Sequence, residues 1–301
     1  MGDTVRIIDA HVHLWERAIV DHPWLTPAAG VLDADFTIVD LEPHLLAADV
    51  EGVIVVQSAD SMAETNYLTG LADALPRIAA VVGWLPLLDP AQCARLLSEG
   101  LHPAMAGIRH LVHVEADPDW LIRPAVMESL RLVAETGLVF EVPAEFPLHV
   151  DHVTAIAAAL PALRIVVDHL AKPPMDGMDF AAWTASMRRL AARPNVVAKL
   201  SGLTASVGKT APLGDVLQPV VGVALDAFGV DRLIFGSDWP VLITGSDYGA
   251  VLHSMRAALG RLDADELDRI FATNATDLYG LPRASAHHAG RIAGPTGRGE
   301  R

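Results

Sequence analysis

Eight short runs rich in valine and isoleucine, separated by longer alanine- and leucine-rich stretches, constrain the fold of this chain more than any other feature. The runs fall at 5–9, 53–57, 78–82, 105–109, 138–142, 164–168, 196–200 and 232–235. Their apolar residues do not alternate with polar ones, so both faces need cover, as in a parallel strand between helical layers. The stretches between them, at 41–49, 64–74, 91–99, 123–135, 150–159, 180–192 and 216–227, carry helical patterns. Asp89 before Pro90 supplies a capping carboxylate and a residue suited to the first helical position. Gly137, Pro161 and Gly229 stand where helices should stop. Eight such units in 301 residues predict a closed, somewhat distorted (β/α)8 TIM-type barrel rather than an open sheet. Two extra C-terminal helices are expected at 247–259 and 264–278. Residues 1–283 read as one domain, and 284–301, rich in Gly, Ala and Arg without apolar period, as a disordered tail.

Composition removes several classes of function. A hydrophobic content of 51% excludes general disorder. Charges or prolines interrupt every apolar run before the ~18 residues a membrane span needs. A net charge of −15 argues against nucleic acid and anionic membranes as partners. The single cysteine, Cys93, excludes an internal disulfide framework and makes the cytoplasm the default compartment. Cys93 falls in an expected helix and receives no catalytic role. Neither a glycine-rich phosphate loop nor a nucleophile elbow is present. What stands out is thirteen histidines in so apolar a chain.

In a barrel of this kind, chemistry collects where the strands end. The expected ends carry Asp9-Ala10-His11-Val12-His13, Gln57-Ser58, Arg109-His110, Glu141, Asp168-His169 with Lys172, Lys199-Leu200-Ser201-Gly202 and Gly236-Ser237-Asp238-Trp239-Pro240. Repeated polar groups at one end of apolar strands are not explained by packing. His11 and His13, two apart, share a face of an extended strand and offer two imidazoles to a metal such as zinc; hydrogen bonding in a polar mouth is the plainer alternative. Strands one and eight are neighbours in a closed barrel, which brings Asp238 to the pair. Asp238 can bind a metal or take a proton from an attacking water, and Gly236 before it allows close backbone approach or an unusual dihedral. His169 can shuttle a proton beside it. Arg109 and Lys172 can hold substrate oxygens or an oxyanion, unless they are spent on Glu141 or Glu115. His44, His102, His149, His152, His253, His287 and His288 fall in helices, loops or the tail and read as solvated.

Four blocks in order then resemble one family: 8–15, 166–173, 199–203 and 235–241, reading IDAHVHLW, VVDHLAKP, KLSGL and FGSDWPV. They are similar to the amidohydrolase-2 branch of the amidohydrolase superfamily. Within it they resemble the sugar lactonases of the L-fuconolactonase and L-rhamnonolactonase type and the related 2-pyrone-4,6-dicarboxylate lactonases. Gln57, Glu64-Thr65, Gly83-Trp84, Arg109-His110 and Asn274-Ala275 extend the likeness over about 5–282. The resemblance implies hydrolysis of a lactone C–O bond, with Asp238 as the base and His169 as its partner or as the group polarising the carbonyl. It implies one divalent metal on His11, His13 and Asp238, zinc in first place, or none; Glu141 is a weaker ligand candidate. Strand four lacks a bridging lysine and strand five ends in Glu141 rather than histidine, so no binuclear centre is expected.

A dicarboxylate substrate demands several converging cations, and only Arg109, Lys172 and His110 are placed for that. A neutral sugar lactone needs hydroxyl partners instead, for which Gln57, Glu115 and Ser201 serve, with Trp84 as a stacking face. The expected substrate set is therefore Arg109, His110, Lys172, Gln57, Glu115 and Trp84, and the expected substrate an aldonolactone. Metal-dependent decarboxylation of an aromatic or unsaturated acid is the alternative on the same barrel. Homo-oligomerisation stays open.

Overall fold

The computed structural model describes residues 5–175, 177–204 and 213–282. Eight strands form one sheet in the order of the sequence: β1 (Ile8–Val12), β2 (Gly52–Val56), β3 (Ile78–Gly83), β4 (Met105–Arg109), β5 (Val139–Val142), β6 (Arg164–Val167), β7 (Val196–Leu200) and β8 (Leu233–Phe235). All seven neighbouring pairs are parallel. The sheet closes through a parallel bridge between Val12 and Trp239, where Asp238 N donates to His11 O at 2.9 Å and His13 N to Trp239 O at 2.7 Å. The fold is thus the expected (β/α)8 barrel.

Between the strands run α1 (Ile38–Ala47), α2 (Met62–Ala74), α3 (Pro90–Glu99), α4 (Pro124–Thr136), α5 (Val150–Ala159), α6 (Phe180–Ala191) and α7 (Leu213–Phe228). The Asp89 side chain accepts from Gln92 N with Pro90 in the first turn, and Gly137 ends α4 at φ 77°. Beyond β8 lie α8 (Tyr248–Ala258), α9 (Ala264–Asp268) and α10 (Asn274–Tyr279). The helix expected over 264–278 is one run interrupted by a π turn at Arg269–Thr273, which buries Ile270, Phe271 and Ala272. The expected tail, 284–301, lies outside the described residues.

One apolar cluster joins the outer strand faces to the helices. A second fills the barrel: Ile8, Ala10, Ile54, Val56, Ala80, Val82, Val139, Val166 and Ile234, closed below by Ala272, Ala275, Tyr279 and Leu281. Burying each larger aliphatic side chain there contributes about 1.5–3 kcal/mol. The C-terminal helical run is therefore the floor of the barrel. One strand is corrected. β1 was expected at 5–9 but spans Ile8–Val12, pairing Ile8 with Gly52 and Asp9 with Val53. Asp9 and His11 read as a polar strand end; they lie inside the strand because Ser237 N and the Tyr248 hydroxyl hold Asp9, and Lys199 inside the barrel meets His11.

Candidate active site

Side chains alternate along a strand. Val139, Val166 and Val197 belong to the barrel filling, so two residues on, Glu141, Asp168 and Lys199 occupy the next layer up. All three are fully buried. Lys199 Nζ lies 2.6 Å from Glu141 Oε2, 3.2 Å from Asp168 Oδ1 and 3.0 Å from His11 Nδ1. Tyr279 OH donates to the other Glu141 oxygen. Arg109 Nη1 donates to Asp168 Oδ2 at 3.2 Å, and its Nη2 to the Gln57 carbonyl. Burial, with the Asp168 charge adding and Lys199 opposing, pushes the Glu141 carboxyl up to about 7. Burial alone would raise Asp168 too, but Lys199 and Arg109 hold it below the usual carboxylate range.

Above this layer the donors face a cavity. Asp238 Oδ1 lies 3.6 Å from His11 Nε2 and 3.4 Å from His13 Nε2. His13 Nδ1 is 2.7 Å from the Val56 carbonyl, which can only accept, so Nδ1 donates there and Nε2 is turned toward Asp238. His169 Nδ1 pairs with Ser201 Oγ at 2.8 Å, which leaves Nε2 for the cavity. Burial, followed by the Lys199 charge, holds His11 well below the usual imidazole range, and burial lowers His169 against Asp238 and Asp168. Both rings are neutral near pH 7.

The backbone aims these groups at a cost. Asp238 has φ 64°, and four consecutive non-glycine residues, His169 to Lys172, have φ between 51° and 56°. Each left-handed residue costs roughly 1–2 kcal/mol. The turn is held by buried Leu170 and Ala171, whose carbonyls accept from Trp183 Nε1 at 2.9 Å and Phe146 N at 2.8 Å. Beside Asp238, Ser237 N donates to Asp9 Oδ1 at 2.8 Å, and Tyr248 OH to Asp9 Oδ2 at 2.8 Å. Of the two readings of Gly236, close approach is the right one: a Cβ there would stand 2.5 Å from His11 Cβ. At Gly202, φ 63°, a Cβ would stand 2.4 Å from His169 Nδ1 and 2.9 Å from Asp238 Oδ2.

The cavity has a volume of about 420 Å³, within the range of small-molecule sites. Its polar lining is His13, Ser58, Arg109, His113, His169, Lys172 and Asp238, with Trp24, Leu32, Leu111, Pro143 and Val241 among the apolar walls. Both lining cations are already paired: Arg109 with Asp168, and Lys172 with Glu145, whose backbone N in turn bonds His149 Nδ1. The acids named from sequence for these pairs, Glu141 and Glu115, are engaged elsewhere. His149, expected to be solvated, is buried.

The structure brings Asp238, His169, His11, His13, Arg109 and Lys172 together. It places Trp84, His110 and Glu115 outside the cavity lining, in a cluster of their own. Trp84 Nε1 donates to His110 Nδ1 at 3.0 Å, His110 Nε2 lies 2.7 Å from Glu115, and Trp120 stacks on the ring at 3.8 Å. Gln57 is also behind the lining, its Nε2 donating to the Arg109 carbonyl at 3.0 Å and to Asp60 at 3.1 Å. Glu141 lies on the deep side of His11. Sequence reasoning missed His113 and Glu145, and it named Lys199 at a strand end without giving it a role. For Lys199 a signal existed: one of only three lysines, in the inward register of an apolar strand.

The chain belongs to the amidohydrolase family, whose sequence profile matches residues 8–281. It is 38% identical over 284 residues to an L-fucono-1,5-lactonase of Burkholderia ambifaria, covering 92% of this chain and 97% of that protein. A crystal structure of an amidohydrolase from Burkholderia multivorans with bound zinc superposes with a TM-score of 0.84 at 34% identity, over 92% of this chain and all of the other. The 5-carboxyvanillate decarboxylase LigW from Sphingomonas paucimobilis, at 13% identity and a TM-score of 0.63 over 93% of this chain and all of the other, shares the fold alone.

Proposed function

We propose that this protein hydrolyses a neutral sugar lactone, an aldonolactone, by attack of water on the ring carbonyl with Asp238 as the base. One observation carries the reading against a dicarboxylate substrate: among the described residues, both cations that line the cavity are already paired with carboxylates. A second carboxylate would have to break one of these pairs, whereas a sugar hydroxyl can share a paired donor or acceptor. The likeness to an L-fucono-1,5-lactonase supports the same substrate class.

Asp238 takes a proton from the attacking water, and the new C–O bond turns the carbonyl oxygen into an oxyanion. His169 and Arg109 stabilise that oxyanion as donors. Collapse breaks the bond to the ring oxygen, which leaves as a hydroxyl on receiving the proton from Asp238. Ser201 and the left-handed turn fix the His169 ring for this, and Gly202 keeps the space between His169 and Asp238 open.

The donor set fits one divalent ion. Tetrahedral zinc at 2.0–2.1 Å from its ligands separates them by roughly 3.3 Å, and the Asp238 oxygen stands 3.4 and 3.6 Å from the two histidine nitrogens. Asp238 with His11 and His169, whose ligand atoms gather in one group, would hold it, with His13 Nε2 at 3.4 Å from the same carboxylate, and the ion would polarise the carbonyl or acidify the water. We place the reaction in carbohydrate breakdown in the cytoplasm, on residues 1–283 as one domain, with single-cysteine usage as the support for the compartment.

The test is acid release by the full chain on neutral aldono-1,4- and 1,5-lactones, beside 2-pyrone-4,6-dicarboxylate, with CO₂ release from hydroxybenzoates in parallel. Turnover of a neutral lactone alone is expected. Turnover confined to the dicarboxylate, or CO₂ release alone, overturns the proposal.

A further inference from the structure

The deep face of His11 has the ingredients of a second metal site. His11 Nδ1, Glu141 Oε2 and Asp168 Oδ1 converge, with the imidazole nitrogen 3.9 and 3.6 Å from the two carboxylate oxygens. Asp168 Oδ1 is a buried oxygen that accepts no well-aligned hydrogen bond, so it has coordinating capacity to spare. What stands among these three atoms is the Lys199 ammonium, 2.6 to 3.2 Å from each. Those are hydrogen-bond lengths to nitrogen, longer than the 2.0–2.2 Å of zinc to nitrogen or oxygen. Even with both carboxyls ionised, Glu141 and Asp168 do no more than balance Lys199 and Arg109. An added divalent ion would leave two uncompensated positive charges in a fully buried layer, where isolated charge is most costly.

We propose that Lys199 is a built-in cation occupying the deep half of the site, so that the chain holds at most one divalent ion and holds it on the cavity side of His11. Lys199 is here a positioning residue. It holds Glu141 and Asp168 apart from any metal, and it bears on Asp238 only through His11. Removing the ammonium leaves the cluster one negative charge in excess, with three ligand atoms around the space that Nζ filled.

The test is Co²⁺ uptake by the chelator-stripped full chain, read as metal per chain and as the d–d absorption of the bound ion. Wild-type protein is expected to bind no more than one Co²⁺, with no change in Glu141→Gln. Lys199→Met is expected to bind one more than wild type, and that increment is expected to vanish in Lys199→Met combined with Glu141→Gln. A folded Lys199→Met protein with wild-type uptake overturns the proposal, as does a wild type that binds two ions. Should Lys199→Met not fold, the Glu141→Gln arm decides: unchanged uptake supports the proposal and loss of an ion overturns it. No lactone is turned over in this experiment, so its failure is separate from failure of the proposed activity.

Discussion

The two nitrogens of the His11 ring face opposite kinds of surroundings. On the deep side, Lys199 and Arg109 stand against the carboxyls of Glu141 and Asp168, and Tyr279 donates to Glu141, so that each acid has a cation beside it. On the cavity side, Asp238 stands 3.6 Å from one histidine and 3.4 Å from another, too far for hydrogen bonds of good geometry. The same residue types thus make a frame below and a reactive mouth above. Saturated polar networks rigidify; unsaturated ones have capacity left for water, substrate or metal.

The contrast is broken most severely at Asp238. Asp238→Asn keeps a residue that tolerates φ 64° but removes the base, and lactone hydrolysis is expected to fall roughly 10²–10⁴-fold. The thermal midpoint should move little; near-normal kcat in a pH-stat assay would take the base role from Asp238. On the deep side, Lys199→Met should instead cost stability, about 3–5 kcal/mol for a buried ion pair with one partner removed. Urea titration reads this loss, and addition of Co²⁺ should recover part of it in the variant but not in wild type.

Gly202→Ala tests the gap between His169 and the proposed base Asp238. Its Cβ must displace the His169 ring or the Asp238 carboxylate, and a shift of that size costs about 10²-fold in kcat. KM should change less than kcat, because the added methyl presses first on His169 and Asp238. The smallest effect concerns His113, which burial and then the Lys172 and Arg109 charges lower to about 4 from 6.5. Above pH 6.5 neither folded nor unfolded chain binds the proton; between 6.5 and 4 only the unfolded chain does. Stability therefore falls as pH drops through that window, by an amount that the exposure of the side chain to solvent keeps small. His113→Gln should flatten this slope in urea midpoints measured from pH 7 to 4.5, and an unchanged slope would remove His113 from the account.

The barrel was legible because its strands are continuous apolar runs, a local pattern that no tertiary contact needs to explain. Asp238, His169 and the His11/His13 pair were legible because charged residues ended those runs at one side. The start of β1 was not, since Asp9 and His11 look like the end of a strand until Tyr248 and Ser237 partner the first and Lys199 the second. The partner of Lys172 was misjudged for a similar reason. Glu145 reaches it only through the left-handed turn at 169–172, a conformation that no glycine or asparagine marks in the sequence. Trp84, His110 and Glu115 lie near strand ends in sequence, yet they satisfy one another, and a residue with its hydrogen bonds filled by neighbours has little left for a ligand.

The two paired cations have a consequence for turnover. Ring opening creates a carboxylate that the lactone did not have, in a cavity whose Arg109 and Lys172 already hold Asp168 and Glu145. The product gains a charge and meets Asp238, and it must share Arg109 and Lys172 with the carboxylates they already hold. It is therefore expelled rather than retained. Product inhibition should be weak, with the aldonate competing only at concentrations well above the KM for its lactone.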